Sequence, residues 1–313
     1  MILITGATGF VGNALVQRLL ADDESRRLVV PIRRVGQRWP GQVLPIMTGD
    51  LNSSTDWSAA LEGVEVVVHC AARVHVMQET VDDPLTAFRA VNVDGTLNLA
   101  RQAAVAGVKQ FVFISSVKVN GESTLPGCAL TEVDLPNPQD AYSQSKPEDE
   151  LGLRQLSADT GMEMVIIRPP LVDGPGVKAN FAALMRAVQR GWPLPLGGVH
   201  NQRSLVALDN LVDFIVTCIT HPQAANRTFL VSDGHDLSTT ELLRSMAQAA
   251  GVSARLLPVP VWALQAGATL LGKGDLVPRL CGNLQVDISK ARSLLDWLPP
   301  VSVEEGLRRA MTI

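Results

Sequence analysis

A glycine-rich turn near the start of the chain constrains the fold more than any other feature. Gly6-Ala7-Thr8-Gly9-Phe10-Val11-Gly12 directly follows the apolar run Ile2-Leu3-Ile4 and opens a helical pattern. Glycines there permit a tight turn and let the backbone approach a pyrophosphate at the helix N-terminus. Its position between the first strand and the first helix predicts a dinucleotide-binding fold. The residues expected at the dinucleotide are Gly6, Thr8, Gly9, Phe10, Val11 and Gly12.

Short β-branched runs alternate with helical patterns through the first half of the chain, which predicts a parallel sheet flanked by helices. Because each connection has the length of a βα unit, we expect an α/β fold built on a Rossmann-type doubly wound parallel sheet. The predicted strands are Ile2–Ile4, Leu28–Ile32, Leu44–Met47, Val64–His69, Phe111–Ser115 and Met164–Ile167. The predicted helices are Gly12–Leu20, Trp57–Leu61, Pro84–Ala106 and Ala141–Thr160.

The pattern changes after Arg168-Pro169-Pro170, where prolines and paired glycines become frequent. We expect residues 1–172 to form the dinucleotide-binding domain and residues 173–313 to form a smaller C-terminal α/β substrate domain. Residues 203–224 are expected to return to the first domain, as a strand over Ser204–Leu208 and a helix over Asn210–Thr220. Ligands of doubly wound folds bind at the carboxyl ends of the strands, so the second domain would cover that edge. Its predicted helices are Asn180–Arg190, Thr239–Ala250 and Val303–Ala310.

Composition excludes several classes of partner. The chain has a formal net charge of −4, only 4% aromatic residues and no basic run, so we expect no nucleic-acid partner. The four cysteines are scattered, as in reduced proteins of the cytosol, and the five histidines lack metal-ligand spacing, so no metal site is expected. No signal peptide precedes the first strand, and the longest apolar stretch, Val259–Leu271, is too short to cross a bilayer. We therefore expect a cytoplasmic protein without a transmembrane segment.

Two arginines follow the second predicted strand, where folds that bind NAD usually place a carboxylate for the ribose 2′-hydroxyl. The strand ends instead with Pro31-Ile32-Arg33-Arg34. Guanidinium groups suit a 2′-phosphate, so we favour NADP(H) as the cofactor, with NAD(H) as the alternative.

Two further strand ends are expected to contact the cofactor. Asp50 and Leu51 follow the third strand, where they would meet the adenine ring. Cys70, Ala71 and Ala72 follow the fourth strand, where small side chains would let the backbone pass close to the cofactor.

Tyr142, the only tyrosine in the chain, and Lys146 lie four residues apart in a predicted helix. Residues at this spacing share one helix face. A nearby ammonium group stabilises a phenolate, so the pair predicts an acid–base group that works near neutral pH.

Taken together, these motifs resemble the extended short-chain dehydrogenases/reductases of the NAD-dependent epimerase/dehydratase family, which act on nucleotide sugars. The resemblance covers essentially the whole chain. The motifs that carry it occur in order: Gly6–Gly12, His69–Ala72, Asn92–Thr96, Ser115-Ser116, Tyr142–Lys146, Arg168-Pro169, Asp287–Lys290 and Leu295–Trp297.

The resemblance implies a role for each catalytic residue. Tyr142 would exchange a proton with a sugar hydroxyl or carbonyl, Lys146 would also bind the nicotinamide ribose, and Ser116 would hydrogen-bond the same substrate oxygen. Asn92 and Pro169 would contact the cofactor. The substrate would be a sugar linked to uridine diphosphate, and the residues expected to bind it, besides Ser116, are Lys118, Asn180, Arg203 and Arg279.

Several reactions use this scaffold, so the fold alone does not select one. A 4,6-dehydratase of the family carries Asp-Glu after the catalytic hydroxyl residue, whereas Val117-Lys118 follows Ser116 here. Details such as Gly176–Phe181 and Pro193–Gly197 also resemble bacterial reductases that form UDP-N-acetyl-quinovosamine. We therefore expect NADPH-dependent reduction of the 4-keto group of a UDP-linked 4-keto-6-deoxy-N-acetylhexosamine, for surface polysaccharide. The alternatives are a UDP-sugar 4-epimerase with tightly bound NAD and a non-catalytic NADP(H) sensor or scaffold.

The sequence departs from the wider epimerase pattern at two positions near the expected sugar pocket. Asn120 and Asp173 stand where tyrosines are common. Family members often dimerise through two long helices, represented here by Pro84–Ala106 and Ala141–Thr160, so the resemblance implies a homodimer.

Overall fold

The computed structural model describes residues 1–34, 36–74, 83–274 and 276–311. A parallel sheet lies at its centre and contains, from one edge to the other, seven of the described strands. In chain order these are β1 (Ile2–Thr5), β2 (Leu28–Ile32), β3 (Val43–Met47), β4 (Val66–His69), β5 (Gln110–Ile114), β6 (Glu163–Arg168) and β9 (Arg227–Leu230). Their spatial order is β3-β2-β1-β4-β5-β6-β9, which confirms the doubly wound parallel sheet.

Helices cover both faces of the sheet and form most of the C-terminal part. Two remaining described strands, β7 (Leu171–Asp173) and β8 (Leu205–Ala207), pair with each other in a small parallel sheet. The described helices are α1 (Phe10–Asp22), α2 (Ser58–Leu61), α3 (Pro84–Phe88), α4 (Thr96–Val105), α5 (Ala141–Thr160), α6 (Ala179–Gln189), α7 (Leu208–Thr220), α8 (Thr239–Ala249), α9 (Val261–Leu270), α10 (Leu276–Cys281), α11 (Ser289–Leu295) and α12 (Val303–Met311).

Successive side chains of β1 enter different parts of the core. Ile2 and Ile4 belong to the cluster that contains residues of α1 and α7, whereas Leu3 belongs to the cluster that contains residues of α4 and α5. Side chains of a strand alternate between its faces, and both faces are apolar here because helices cover both. A third cluster joins α6, α8 and α12 in the C-terminal part.

One predicted strand, and one edge of the central sheet, differ from the structure. The strand near Ser204–Leu208 does not return to the central sheet, because β8 pairs with β7. The edge of the central sheet beside β6 is instead occupied by β9, which the sequence reading missed. The helix of the same segment, α7, packs against α1 and β5.

The long predicted helix Pro84–Ala106 is interrupted. A π-helical segment, Arg89–Gly95, joins α3 to α4. Gly95 lies so close to the loop after β3 that a β-carbon there would be 2.8 Å from Leu51 Cγ. The absence of a side chain at Gly95 therefore lets this helix approach the edge of the sheet.

A buried ion pair fixes α5 against the central sheet. Arg168, at the end of β6, donates two hydrogen bonds to Glu150, at 2.9 and 2.5 Å. Ser115, just after β5, donates to the same carboxylate at 2.6 Å. Burial opposes ionisation, but Arg168 and Ser115 hold the pKa of Glu150 below its ordinary value.

We predict that Arg168→Leu lowers the free energy of unfolding by about 3–5 kcal/mol, because it leaves the Glu150 carboxylate buried without its main partner. Arg154→Leu is the matched control, since Arg154 contacts the same carboxylate at 3.2 Å from a half-exposed position. That change should cost no more than about 1 kcal/mol. Urea unfolding of both variants measures the difference, and equal losses would contradict a dominant role for Arg168.

Candidate active site

A cavity of about 940 Å³ lies at the carboxyl ends of β1–β4, the edge where doubly wound folds bind ligands. Most of the residues predicted to contact a cofactor line it. These are Gly6, Thr8, Gly9, Arg33, Arg34, Asp50, Leu51, Cys70, Ala71 and Ala72. The sequence reading missed other lining residues, among them Thr5, Thr48, Asn52, Trp57 and Arg73.

The glycine turn forms the floor of this cavity. Gly6 adopts φ +67°, and a β-carbon there would lie 2.9 Å from the backbone nitrogen of Ala71. A β-carbon on Gly12 would collide with the carbonyl of Gly6. Gly9 is the residue that precedes α1, so the free amide groups of the first helical turn begin here. This cradle fits a dinucleotide, whose pyrophosphate would meet the N-terminus of α1.

The rim of the cavity carries paired charges. Arg33 Nη1 lies 3.7 Å from Asp50 Oδ1, and the two side chains are 75% and 81% exposed. An arginine predicted to bind a 2′-phosphate therefore has a carboxylate beside it. That arrangement weakens the argument for a phosphate at this position.

The predicted catalytic helix begins at a strong capping box. Asp140 accepts a hydrogen bond from the Ser143 amide, and the Ser143 hydroxyl accepts one from the Asp140 amide. Lys118 Nζ contacts both Asp140 and Glu122, at 2.7 and 2.6 Å. Partial burial opposes ionisation of Asp140, but Lys118 and the Ser143 amide hold its pKa at about 2. Lys118 thus anchors the start of α5, and its predicted contact with substrate stays a prediction.

Tyr142 and Lys146 lie on one face of α5, as their spacing predicts. Lys146 Nζ lies 5.9 Å from the centre of the Tyr142 ring and 4.4 Å from the centre of the Phe113 ring. The edge of Phe88 packs against Tyr142, with ring centres 6.0 Å apart. Aromatic side chains therefore hold both predicted catalytic groups in place.

Two buried residues connect the cavity with the catalytic helix. Asn92, in the π-helical segment, accepts a hydrogen bond from the Arg73 amide and donates to the Arg73 carbonyl and to Ser145. His69, at the end of β4, hydrogen-bonds to Thr5 and Thr96. Burial, with a smaller effect of Lys146, lowers the pKa of His69 to about 3, so its imidazole is neutral.

Ser116 lies just after the carboxyl end of β5, at the same edge of the sheet as the cavity. Its hydroxyl accepts a hydrogen bond from the Lys118 amide at 3.2 Å. The next amide, that of Val117, donates to the carbonyl of Pro169, which holds the two strand ends together. Pro169 is buried, and its carbonyl helps to fix the backbone beside Ser116. Its predicted contact with a cofactor stays a prediction.

The two departures from the epimerase pattern have local explanations. The side chain of Asn120 accepts a hydrogen bond from Arg168 and donates one to the carbonyl of Thr131. Asp173 ends β7 in a buried position, where desolvation and the nearby Asp233 raise its pKa to about 8. Asn120 therefore belongs to the hydrogen-bonded group that contains Arg168 and Glu150. Asp173 is a neutral carboxyl group near pH 7.

The residues predicted to bind the substrate are spread over the C-terminal part. Asn180 is exposed in the first turn of α6, and Arg279 is exposed in α10. Arg203 is half-buried, donates to the carbonyl of Gly282 at 3.0 Å, and has its pKa lowered by burial. Whether these groups act on one ligand stays a prediction.

Neither a metal centre nor a membrane-spanning helix is found in the part of the chain that the structure describes. No three histidine, cysteine, aspartate or glutamate side chains there are grouped so as to hold a metal ion. The described helices are all too short or too polar to cross a bilayer. The apolar segment near Val261 forms α9, which has no buried residue.

The model of the NAD dependent epimerase/dehydratase family matches residues 2–232. The chain belongs to this family. Membership confirms the resemblance inferred from the motifs, and it makes the protein an enzyme of the extended short-chain dehydrogenase type.

Two relatives align over nearly the whole chain. A UDP-glucose 4-epimerase of Vibrio cholerae is 52% identical over 310 residues, which cover 98% of this chain and 93% of the relative. An Escherichia coli O157:H7 epimerase, N-acetyl-alpha-D-glucosaminyl-diphospho-ditrans,octacis-undecaprenol 4-epimerase, is 27% identical over 99% of this chain and 94% of its own.

Solved structures show the same fold. A UDP-glucuronic acid 4-epimerase from Bacillus cereus in complex with NAD superposes with a TM-score of 0.79 at 22% identity, over 99% of this chain and 97% of that one. A UDP-glucose 4-epimerase from Thermotoga maritima with UDP-glucose gives 0.76 at 22% identity, with the same coverage.

We predict that Gly12→Ala weakens dinucleotide binding about ten- to hundredfold, because the added methyl group collides with the Gly6 carbonyl and distorts the turn. Gly267→Ala is the control, since this glycine lies in the exposed helix α9 with open space around its α-carbon. Calorimetric titration with NAD should give wild-type affinity for that variant. Unchanged affinity in Gly12→Ala would show that the turn does not form the binding site.

Proposed function

We propose that the protein is a UDP-hexose 4-epimerase that uses NAD. The observation that carries this proposal is the 52% identity, over 98% of the chain, with the Vibrio cholerae UDP-glucose 4-epimerase. The same fold occurs in epimerases whose structures contain NAD or UDP-glucose. This proposal replaces the 4-ketoreductase favoured from the sequence, which the relatives support less well.

The chain retains the groups that epimerisation at C4 requires. When bound, NAD would supply the hydride acceptor for C4 and, in its reduced form, the hydride donor for the keto sugar. Tyr142 would take the proton of the 4-hydroxyl group and give it back after the sugar has turned. Lys146 would stabilise the phenolate form of Tyr142, and Ser116 would hydrogen-bond the same sugar oxygen.

The cofactor would lie along the cavity from the glycine turn towards α5. Gly6, Gly9 and Gly12 would admit the pyrophosphate, and the loops after β3 and β4 would hold the adenosine half. The buried hydrogen bonds of Asn92 would keep this site aligned with Lys146, since Asn92 binds Ser145 in the same helix. The diphosphate of the substrate would meet Asn180, Arg203 and Arg279.

NAD is favoured over NADP(H), against the preference drawn from the sequence. NAD is the cofactor in the Bacillus cereus epimerase structure and in the structure of MoeE5 with UDP-glucuronic acid. In this chain Asp50 already neutralises part of the charge of Arg33.

Direct binding measurements test the cofactor. NAD⁺ should bind at least about tenfold more tightly than NADP⁺, because a 2′-phosphate would be repelled by Asp50. Asp50→Asn should reduce the difference in affinity between NAD⁺ and NADP⁺, because it removes the repulsion between the Asp50 carboxylate and the 2′-phosphate. Tighter binding of NADP⁺ to the unaltered protein would overturn the cofactor proposal.

The reaction itself is tested with UDP-glucose. The protein should interconvert UDP-glucose and UDP-galactose without net oxidation of a nicotinamide cofactor, as followed by chromatography of the nucleotide sugars. Tyr142→Phe should lower kcat by about 10²–10⁴, since it removes the acid–base group but not the ring that packs on Phe88. Near-normal turnover in that variant would exclude the mechanism.

The 4-ketoreductase remains a second candidate for one reason. Arg33 and Arg34 line the cofactor cavity, and no carboxylate ends β2. A reductase would oxidise one NADPH for each UDP-4-keto-6-deoxy-N-acetylhexosamine reduced, which absorbance measures directly. If neither that oxidation nor sugar interconversion occurs, a cofactor-binding sensor or scaffold is favoured.

Three further parts of the proposal come from the family resemblance. The protein would serve the synthesis of surface polysaccharide, and it would divide functionally between residues 1–172 and 173–313. It would form a homodimer through α5 and the helices from α3 to α4, where Leu151 presents an exposed apolar side chain.

A further inference from the structure

Asp149 is a buried carboxyl group that no part of the proposed mechanism uses. It lies in α5, three residues after Lys146, and its exposure is 0%. Neither of its side-chain oxygens has a hydrogen-bond partner within the residues that the structure describes. A buried carboxylate without hydrogen bonds is costly, so its presence beside the catalytic pair requires a physical explanation.

Lys146 supplies that explanation. Its side chain is only 1% exposed, and its Nζ lies 3.5 Å from Asp149 Oδ2. This distance makes an ion pair without a directed hydrogen bond. A buried ammonium needs a compensating charge, and Asp149 is the carboxylate within ion-pair distance of Lys146 among the described residues.

We propose that Asp149 is a positioning residue for catalysis, the counter-ion that holds the Lys146 ammonium beneath Tyr142 and sets how readily Tyr142 ionises. Tyr142, Lys146 and Asp149, all in α5, then interact electrostatically, with Lys146 as the charge that the other two share. Lys146 favours the phenolate of Tyr142, while the carboxylate of Asp149 offsets part of the lysine charge. Removing the carboxylate leaves the ammonium uncompensated and therefore makes phenolate formation easier.

The other charged groups around Asp149 do not replace it. Glu148 is bound bidentately by Arg89, and Glu150 is bound by Arg168 and Ser115. Both neighbouring carboxylates oppose the ionisation of Asp149.

His69, which faces Lys146 from β4, is neutral. Desolvation raises the pKa of Asp149 to about 7, against the opposing effect of Lys146. Asp149 therefore carries a negative charge above about pH 7, and there its charge acts on the neighbouring Lys146 ammonium.

The single tyrosine of the chain allows a direct test. The near-ultraviolet absorbance of phenolate, followed against pH, reports Tyr142 alone, and Tyr142→Phe should abolish the signal. We expect Asp149→Asn to lower the midpoint of this titration by about half to one pH unit, because one negative charge is removed near the pair. The acid limb of the kcat/KM profile should move in the same direction.

Two variants separate charge from shape. Asp149→Ser is also uncharged but smaller than asparagine, and it should shift the midpoint equally. Glu148→Gln removes the same charge from the preceding residue, whose carboxylate is held by Arg89, and it should shift the midpoint by less than about 0.2 pH unit. An unchanged midpoint in both Asp149 variants, or an equal shift in Glu148→Gln, would overturn the proposal.

This inference rests on the catalytic role proposed for Tyr142 and Lys146, but the titration requires no turnover. If the shift appears and no sugar is epimerised, the coupling stands and the proposed reaction is wrong. If epimerisation occurs without the shift, the reaction stands and Asp149 has no role as a counter-ion.

Discussion

The buried ion pair between Glu150 and Arg168 is the contact on which the candidate active site depends. It joins the catalytic helix α5 to the end of β6, and through Ser115 it also fixes the end of β5. Tyr142 and Lys146 belong to the helix that this cluster ties to the sheet. A network with these hydrogen bonds satisfied defines one position for the helix, which a purely apolar contact would specify less sharply.

The fold was accessible from the sequence because its determining features are local. A strand, a glycine turn and a helix follow one another at the start of the chain, and parallel strands with short βα connections leave few topologies open. The bounds of α5 were predicted to the residue, since Asp140 caps its beginning and Gly161, with φ +76°, ends it. The Tyr142–Lys146 face followed from helical spacing alone.

The elements that the sequence did not disclose depend on contacts between distant residues. The partner of β8 is decided by tertiary packing, so a short apolar strand was assigned to the wrong sheet, and β9 was overlooked. The π-helical segment likewise arises where Gly95 meets the loop after β3. Asn120 was visible only as a departure from a pattern, because its partner Arg168 is 48 residues away. Contacts between residues so far apart in the chain leave no periodic pattern in the sequence.

The distinction between an epimerase and a reductase is a matter of cofactor retention more than of catalytic groups. Both reactions move a hydride at C4 and a proton at its oxygen, so Ser116, Tyr142 and Lys146 serve either one. An epimerase must keep the reduced cofactor while the sugar turns, whereas a reductase must exchange it after each cycle. The residues that decide how tightly the cofactor is held therefore line the cavity along β1–β4. There Arg33 faces Asp50 at the exposed rim. The catalytic helix therefore does not distinguish the two reactions, because the selection between them is made at the other end of the cofactor site.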